Sequence, residues 1–195
     1  MDKTAKKGKI VVVSAPSGCG KSTIIRNILD KGDLPLRFSV SATNRNARPG
    51  EIDGQHYHFM TTPEFRRAIA DNRFVEWEEV YPGRYYGTLK DELQKEIEAG
   101  NNVILDIDVK GAVNVKKLFG DGALTIFIVP PSVDEIRRRL EGRKSESPDV
   151  INERVGKAEY EMSFADLFDC QVVNDILEDA IAQTHATLKD FINQP

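Results

Sequence analysis

The sequence predicts an α/β fold in which a parallel β-sheet core is flanked by helices. A short, continuously apolar run at residues 10–13 and mostly apolar runs at 103–107 and 124–129 are typical of strands buried on both faces of a parallel sheet. Amphipathic helices alternate with these strands, as in α/β layer architectures. An aromatic-rich stretch from about residue 43 to residue 88 breaks the alternation, so we expect an inserted, mixed β subdomain there.

The composition describes an ordinary globular chain. Its 195 residues suffice for one compact domain, or for a core with inserted subdomains. The formal net charge of −4 argues against a general polyanion or nucleic-acid binder, so anionic ligands must be held by local clusters of Arg and Lys. Cys19 and Cys170 form no CxxC pair, so we expect no disulfide framework and no structural zinc.

The same composition gives an expectation for location. The polar N-terminus has no signal-peptide stretch, and no run approaches the ~18 apolar residues that span a bilayer. Two unpaired cysteines fit a reducing compartment. We therefore expect a cytoplasmic protein without a membrane partner.

The first strand leads into a glycine-rich turn and a helix over residues 22–29. A strand is predicted at 37–40, and a loop over 44–55, which contains one proline and two glycines. The side chains that share one face of the predicted helix are Ile24, Ile25, Ile28 and Leu29.

A second helix and a pair of strands are predicted in the middle of the chain. Thr62-Pro63-Glu64 is typical of an N-cap, a proline at N1 and an acidic first turn. Aromatic residues over 73–87 favour strands around the turn Pro82-Gly83. The apolar face of the helix that follows the cap consists of Phe65, Ala68 and Ile69.

The C-terminal half continues the pattern. Leucine or isoleucine every fourth residue over 89–97 predicts a helix that Gly100 ends. Residues 132–135 are typical of a capping box that begins another helix, and the polar stretch 141–149 is expected to be mobile. The remaining predicted elements are a helix marked by Ile151, Val155, Ala158 and Met162, a strand at 172–173 and a helix over 177–192.

The turn after the first strand matches a phosphate-binding loop. Its sequence departs once from G-x-x-x-x-G-K-[ST], because Ala15 takes the place of the first glycine, which is acceptable if that backbone needs no positive φ. Backbone N–H groups freed by Gly18 and Gly20 can surround phosphate oxygens at a helix N-terminus. Lys21 supplies a charge between the terminal phosphates, and the Ser22 hydroxyl suits Mg²⁺. The predicted nucleotide-binding residues are Ala15, Pro16, Ser17, Gly18, Cys19, Gly20, Lys21, Ser22 and Thr23.

Other interpretations of this loop are simpler. It could be a glycine-rich turn that only caps a helix, and Cys19 could be a redox thiol at a helix N-terminus. The agreement of strand, loop, Lys-Ser pair and helix favours the phosphate loop, and we interpret Cys19 as a small spacer residue.

Several separate motifs follow the phosphate loop. They are F-S-V-S-A-T-N-R at 38–45, R-P-G-E at 48–51, F-V-E-W at 74–77, Y-Y-G-T at 85–88, L-D-I-D at 105–108 and R-L-E-G-R at 139–143. Their order and spacing resemble guanylate kinases from about residue 9 to residue 192. The resemblance implies a P-loop NTPase-like fold that transfers the γ-phosphate of ATP to GMP with Mg²⁺, giving ADP and GDP. It also implies one domain in three parts: a core at about 9–42, 89–136 and 165–195, a GMP-binding insert at about 43–88, and a mobile lid at about 137–164.

The resemblance assigns the GMP phosphate to one serine, two arginines and two tyrosines. Two arginines three residues apart in a loop can both fork onto one phosphate, and a phenol adds a neutral donor. Arginines that merely solvate a surface loop are the alternative. The matching residues are Ser41, Arg45, Arg48, Tyr57 and Tyr86.

The family recognises guanine with an acidic and a hydroxyl residue, which match Glu76 and Thr88, with Gly87 beside them. A carboxylate can accept hydrogen bonds from guanine N1 and N2, while O6 accepts one from a hydroxyl. Adenine lacks that pair of donors, so it would leave Glu76 buried and unpaired. A solvated strand face is the alternative for Glu76.

Two aspartates end the second buried strand. Asp106 and Asp108 lie two residues apart, hence on one side of the strand. The resemblance implies that both lie at the GMP site. One could hold Mg²⁺ through water and the other could reach the base, and the sequence leaves the division open.

The remaining site residues come from the resemblance. Arg139, Arg143 and Arg154 match the arginines that close over the phosphates, and Asn174 matches a position near the adenine site. The predicted catalytic residues are Lys21, Arg45, Arg139, Arg143 and Arg154.

Two other functions compete with this one. A non-catalytic guanylate-kinase-like protein-binding domain usually has a degraded phosphate loop, whereas Lys21 and Ser22 are present here. A P-loop kinase for another small substrate would not need Glu76 and Thr88. We expect GMP and ATP as partners, no nucleic acid, and either a monomer or a homodimer.

Overall fold

Two β-sheets organise the chain, which the computed structural model describes over residues 7–142 and 147–194. The strands are β1 (Ile10–Ser14), β2 (Leu36–Phe38), β3 (Ala42–Thr43), β4 (His58–Phe59), β5 (Phe74–Tyr81), β6 (Arg84–Leu89), β7 (Asn102–Asp106), β8 (Ala123–Val129) and β9 (Cys170–Val173). The first sheet is parallel, in the order β2-β7-β1-β8-β9. The second is mixed, in the order β4-β3-β6-β5. The predicted fold class is therefore confirmed.

Helices follow most of the strands of the parallel sheet. They are α1 (Lys21–Lys31), α2 (Thr62–Ala70), α3 (Lys90–Glu98), α4 (Val109–Phe119), α5 (Val133–Gly142), α6 (Pro148–Met162) and α7 (Leu177–Asn193). None of these helices, within the described ranges, is long and apolar enough to cross a membrane.

The three central strands of the parallel sheet, β1, β7 and β8, are buried on both faces, which explains why their sequences are mostly apolar. Val11 and Val13 of β1 belong to the hydrophobic cluster that includes α1 and α7. Ile10 and Val12, which point the other way, belong to a second cluster that includes α4. A third, smaller cluster lies between α2 and the mixed sheet. There the ring of Phe65 stacks on those of Phe74 and Tyr85 at centroid distances of 4.4 and 5.6 Å.

Helix α4 is an element that sequence reasoning missed. Asp108, interpreted as a strand-end residue, is the N-cap of this helix, and its Oδ1 accepts a hydrogen bond of 2.7 Å from the Gly111 N–H. The buried face of α4 consists of small residues, among them Ala112 and Val115. A glycine and β-branched residues lower intrinsic helix propensity, so packing on the sheet, more than local preference, stabilises this helix.

The predicted cap of α2 is wrong by one residue. Thr61, not Thr62, is the N-cap, and it forms a capping box with Glu64. The Thr62 hydroxyl instead accepts a hydrogen bond of 2.8 Å from the Asn44 amide. A tertiary contact thus decides between two adjacent threonines.

The polar stretch 141–149, which we expected to be mobile, is helical at both of its ends. Helix α5 extends to Gly142, and α6 begins at Pro148. Arg143, one of the predicted catalytic residues, lies outside the described residues, together with residues 144–146.

Candidate active site

The phosphate loop connects β1 to α1 and turns at two glycines. Gly18 and Gly20 have φ values of 90° and 82°, which favour glycine. Ala15 is buried, and its φ is not positive, since Asn72 is the one non-glycine residue with a positive φ in the described part of the chain. The alanine in the first glycine position therefore causes no backbone strain.

Asn174 supports the backbone of this loop. Its side-chain amide donates a hydrogen bond of 2.7 Å to the Cys19 carbonyl, and only 4% of the residue is exposed. A Cβ at Gly20 would lie 2.5 Å from the Asn174 Nδ2 atom. The sequence predicted Asn174 as a residue near the nucleotide base, and the structure gives it a contact with the loop itself.

Helix α6 contacts the loop through two charged side chains. The Arg154 guanidinium donates a hydrogen bond to the Ser17 hydroxyl. Glu161, which is 7% exposed, accepts one from the Ser17 backbone N–H. Burial raises the pKa of Glu161, and Lys157, Lys21 and this hydrogen bond oppose the shift. Sequence reasoning missed Glu161, although its spacing of seven residues from Arg154 indicates a shared helix face.

Lys21 lies at the start of α1 and contacts the end of β7. Its Nζ is 2.5 Å from Asp106 Oδ1 and donates a longer hydrogen bond, of 3.3 Å, to the Ile107 carbonyl. Strands β1 and β7 are adjacent and parallel, with Val13 opposite Asp106. Both side chains thus lie at the carboxyl edge of the sheet, where open α/β sheets bind ligands.

Glu76 and Thr88 form a buried pair on neighbouring strands. They are opposite each other in the register of β5 and β6, and Thr88 Oγ1 donates a hydrogen bond of 2.6 Å to Glu76 Oε1. Glu76 is 6% exposed, and burial raises its pKa to about 7, with a further contribution from Asp108. Asp106 contacts Lys21, whereas Asp108 lies near Glu76, so the two aspartates have separate surroundings.

Gly87, between Tyr86 and Thr88, has a structural explanation of its own. A Cβ at this position would lie 2.8 Å from the Glu76 carbonyl oxygen and 2.9 Å from a ring carbon of Phe74. Close pairing of β5 and β6 therefore requires glycine, independently of any substrate contact.

Arg45 is at the centre of a cluster in the mixed sheet. Both of its terminal nitrogens donate to the Glu51 carboxylate at 2.6 Å, and its guanidinium lies 4.8 Å from the centre of the Tyr57 ring. Hydrogen bonds from Arg45 and from the Arg48 backbone hold the pKa of Glu51 down at about 2. Hydrogen bonding to Glu51, and then to Tyr86, raises the pKa of Arg45.

Only some of the residues predicted to bind the GMP phosphate contact one another in the structure. Tyr57 and Tyr86 meet edge to face, with ring centres 5.9 Å apart, beside Arg45. The Arg48 side chain is exposed, and Ser41 is half-buried, with its carbonyl accepting from the His58 N–H. Glu51, which orients Arg45, was not predicted as a site residue, although it lies six positions along in the same loop.

Arg139 of α5 connects its helix to Asn174, the residue that contacts the phosphate loop. It donates to Glu135 one turn earlier, at 2.7 Å, and to the Asn174 carbonyl at 3.1 Å. Two of the three predicted closing arginines, Arg139 and Arg154, thus lie beside the phosphate loop or its Asn174 contact. The third, Arg143, lies outside the described residues.

Comparison with known proteins points to one family. The family model described as guanylate kinase matches residues 7–194. A guanylate kinase of Bacteroides thetaiotaomicron is 52% identical over 96% of this chain and 91% of that protein. One of Porphyromonas gingivalis is 48% identical over 94% of this chain and 98% of that protein.

Solved structures agree. The guanylate kinase of Anaplasma phagocytophilum superposes with a TM-score of 0.77 and 29% identity, covering 97% of this chain and 88% of that one. The shikimate kinase of Bacteroides thetaiotaomicron, with a TM-score of 0.52 and 17% identity over 95% of this chain and 99% of that one, shares the fold alone.

Proposed function

This chain belongs to the guanylate kinase family, and on that premise we propose how its own residues phosphorylate GMP. The protein transfers the γ-phosphate of ATP to GMP, giving ADP and GDP. The proposal depends on one juxtaposition at the end of β7. There Asp106 contacts Lys21 of the phosphate loop, and two residues later Asp108 lies beside the buried Glu76–Thr88 pair.

ATP binds with its phosphates on the loop. The backbone N–H groups around Gly18 and Gly20 surround phosphate oxygens at the N-terminus of α1. When ATP binds, the Lys21 ammonium group donates to the terminal phosphates, either in place of Asp106 or in addition to it. What supports this assignment is that Lys21 is the first residue of α1 and its Nζ lies at the sheet edge.

GMP binds over the mixed sheet. The Glu76 carboxylate accepts from guanine N1 and N2, and the Thr88 hydroxyl rotates its one O–H from Glu76 Oε1 to donate to O6. Asp108, near Glu76, belongs to the base end of this site, and Asp106 to the phosphate end. The phosphate of GMP is held by Ser41, Arg45, Arg48, Tyr57 and Tyr86, three of which already lie in contact.

The chemistry needs alignment and charge neutralisation more than proton transfer. A phosphate oxygen of GMP is the nucleophile and is largely anionic at neutral pH, so no general base is required. Lys21, Arg139, Arg143 and Arg154 neutralise the charge that spreads over the transferred group. Closure of the lid excludes water, which would otherwise hydrolyse ATP.

The residues present fit a Mg²⁺ ion held mainly by nucleotide and water. Ser22 is an exposed residue in the first turn of α1, and no group of three or more His, Cys, Asp or Glu side chains in the described ranges could hold an ion. Mg²⁺ keeps several waters and takes phosphate oxygens, so a sparse donor set suits it. We propose that Ser22 and, through water, Asp106 hold the ion, which would neutralise the β- and γ-phosphates when bound.

A substrate panel tests the proposal. In a coupled assay of ADP release, GMP should be strongly preferred over AMP, CMP and UMP, because only guanine offers the donor pair that Glu76 accepts. Comparable kcat/KM values for GMP and AMP would refute the role of Glu76 and Thr88.

Location and assembly are further proposals. Cys19 and Cys170 are free thiols, Cys19 being buried, which supports the reducing cytoplasm. Light scattering after size exclusion would distinguish a monomer from a homodimer.

A further inference from the structure

The first turn of α4 passes directly behind the Glu76 carboxylate. Gly111, the third residue of this helix, donates its N–H to the N-cap Asp108 at 2.7 Å. A Cβ at Gly111 would lie 2.6 Å from Glu76 Oε2, 3.2 Å from Glu76 Cδ and 3.3 Å from Asp108 Oδ1. Since real Cβ atoms essentially never approach another atom closer than 3.0 Å, any side chain here would displace one of these groups.

Neither group can give way without a cost to the site. Glu76 is 6% exposed, and its other carboxylate oxygen is bound to Thr88 at 2.6 Å. Helix α4 is held against the parallel sheet by Val109, Ala112 and Val115, all buried. A methyl group at position 111 would therefore turn Glu76 away from its partner or push the helix off the sheet.

We propose that Gly111 is a specificity-determining residue, because the absence of its side chain leaves the space in which the Glu76 carboxylate faces a guanine base. The inference rests on the proposed function of Glu76. Gly111 itself touches no substrate and acts through the position of that carboxylate. Its effect should fall on the discrimination between bases and spare the ATP site, where Lys21 contacts Asp106 and not Asp108 or Glu76.

The variant Gly111→Ala tests the inference, with Gly156→Ala as the matched control. Gly156 is also a helical glycine, in α6, but a Cβ there would meet no atom within 4 Å. Both replacements exchange glycine for alanine within a helix, a change that favours the helix by intrinsic propensity. We expect Gly111→Ala to lower kcat/KM for GMP by about tenfold to a hundredfold, the effect of losing a hydrogen bond to a charged group, while the KM for ATP stays within about twofold. Gly156→Ala should behave as the parent protein.

The preference for GMP over IMP gives a readout that a merely structural role would not change. IMP lacks the 2-amino donor that Glu76 accepts, so displacement of the carboxylate penalises GMP more and narrows the GMP/IMP ratio. The double variant Glu76→Asp with Gly111→Ala, in which a shorter acid makes room for the methyl group, should be less impaired than the two single effects combined. The midpoint of thermal unfolding is measured for every variant.

The outcomes separate this inference from the proposed function. If Glu76→Gln narrows the GMP/IMP ratio and Gly111→Ala leaves it unchanged, the role of Gly111 is wrong. A rise in the KM for ATP as large as the loss of kcat/KM for GMP in Gly111→Ala would also overturn the inference, since it would indicate a general loss of fold. If Glu76→Gln itself leaves the ratio unchanged, the guanine-recognition role of Glu76 fails, and the inference built on it fails too.

Discussion

Four of the cations that we assign to a phosphate contact a carboxylate or a hydroxyl of the protein: Lys21, Arg45, Arg139 and Arg154. The Lys21 Nζ is 2.5 Å from Asp106, and Arg45 makes two hydrogen bonds of 2.6 Å to Glu51. Arg139 donates to Glu135 at 2.7 Å. Long cationic side chains that are already ordered lose less rotamer entropy when a phosphate binds. The acidic partners therefore prepare the site, although they carry the same sign of charge as the substrates.

Replacement of Lys21 should remove transition-state stabilisation and leave the fold intact. Lys21→Ala is expected to lower kcat by about two to three orders of magnitude, the usual effect of removing one preorganised donor of positive charge. The side chains of Lys21 and Asp106 are 20% and 23% exposed, so water can solvate the remaining carboxylate. The measurement is kcat for GMP at saturating ATP, with the thermal midpoint.

The control for Lys21 is Lys31→Ala. Lys31 ends the same helix, α1, and its ion pair with Asp33 lies on the surface. Turnover near that of the parent protein in Lys21→Ala would show that the loop is not the ATP site.

The pKa of Glu76 predicts an acid limb in the activity. Burial raises this pKa from 4.5 to about 7, so below pH 7 most of the free protein carries a protonated Glu76 that cannot accept both guanine donors. We expect kcat/KM for GMP to rise with pH through about 7. The second ionisation of the GMP phosphate, at about 6, contributes in the same range. Glu76→Gln keeps that ionisation, so the limb attributable to Glu76 is the difference between the two profiles.

The raised pKa of Glu76 also predicts how the free energy of unfolding changes with pH. Between pH 4.5 and about 7 the folded protein binds a proton at Glu76 more tightly than the unfolded chain does, so the free energy of unfolding decreases as pH rises through this window. Urea denaturation across that range should show the decrease in the parent protein and a weaker one in Glu76→Gln. An identical dependence in both proteins would contradict the assigned pKa.

At the scale of elements, the site is built where a hairpin, a helix and a loop converge. Strands β5 and β6 pair Glu76 with Thr88, and Gly87 allows their close approach. Helix α4 brings its N-terminus behind this pair, and helix α6 contacts the phosphate loop through Arg154 and Glu161. The residues that we propose for base recognition and those that we propose for ATP phosphate binding thus contact different elements, and substitutions in these elements should have separable effects.

The phosphate loop predicts a small effect for Ala15→Gly. Because Ala15 is buried and has no positive φ, glycine would restore the usual motif without relieving any strain. We expect the KM for ATP to change less than about tenfold, which corresponds to ~1.4 kcal/mol. Stability should fall by about 0.4–1 kcal/mol, because glycine increases the entropy of the unfolded chain.

Gly18→Ala is the matched comparison for Ala15→Gly. Gly18 has a φ of 90°, and a Cβ there would lie 3.4 Å from the Leu140 side chain, so alanine at this position is strained. It should raise the KM for ATP more than Ala15→Gly does. A larger change in Ala15→Gly would reveal a role for the first loop position beyond backbone conformation.

At the scale of the whole molecule, helix α6 links the parts of the site. Its Lys157 lies 5.2 Å from the centre of the Tyr81 ring at the end of β5. Lys110 of α4 contacts Glu78 of β5 at 3.2 Å and lies 5.9 Å from the Tyr160 ring of α6. A cavity of about 140 Å³ lies among these three elements. Movement of α6 as part of the predicted lid would therefore change its contacts with both β5 and α4.

The predicted three-part arrangement implies closure when both nucleotides bind. Arg45 and Arg48 belong to the insert, Arg143 to the lid and Lys21 to the core, so two polyanions must meet in line among them. Small-angle X-ray scattering with a bisubstrate analogue should show a smaller radius of gyration than without it. A distance probe across the cleft should shorten in parallel. A radius and a distance that stay constant at saturation would count against this mechanism.

A lid variant provides the functional counterpart. Arg143→Ala should leave GMP affinity nearly unchanged and lower kcat, because the lid acts after GMP has bound. The opposite result, a loss of GMP binding with kcat retained, would place Arg143 in the ground-state site.

Much of the fold could be predicted from the sequence, because local rules govern it. The apolar runs of β1, β7 and β8 predict a sheet buried on both faces, and the spacing of Gly18, Gly20 and Lys21 predicts a phosphate loop between a strand and a helix. These features depend on neighbours within a few residues, and so they are visible in a linear pattern.

Only the tertiary structure decided the contacts between distant parts of the chain. Helix α4 has weak local propensity and is stabilised by packing, so the sequence pattern places Asp108 at the end of a strand, whereas the structure makes it the N-cap of this helix. The contacts that organise the site connect residues far apart in sequence. Asp106 contacts Lys21, Asp108 lies near Glu76, and Asn174 and Glu161 contact the phosphate loop. The space that the Glu76 carboxylate occupies likewise depends on Gly111. Side-chain identity and spacing specify which groups a site contains, whereas the packing of elements determines which of those groups meet.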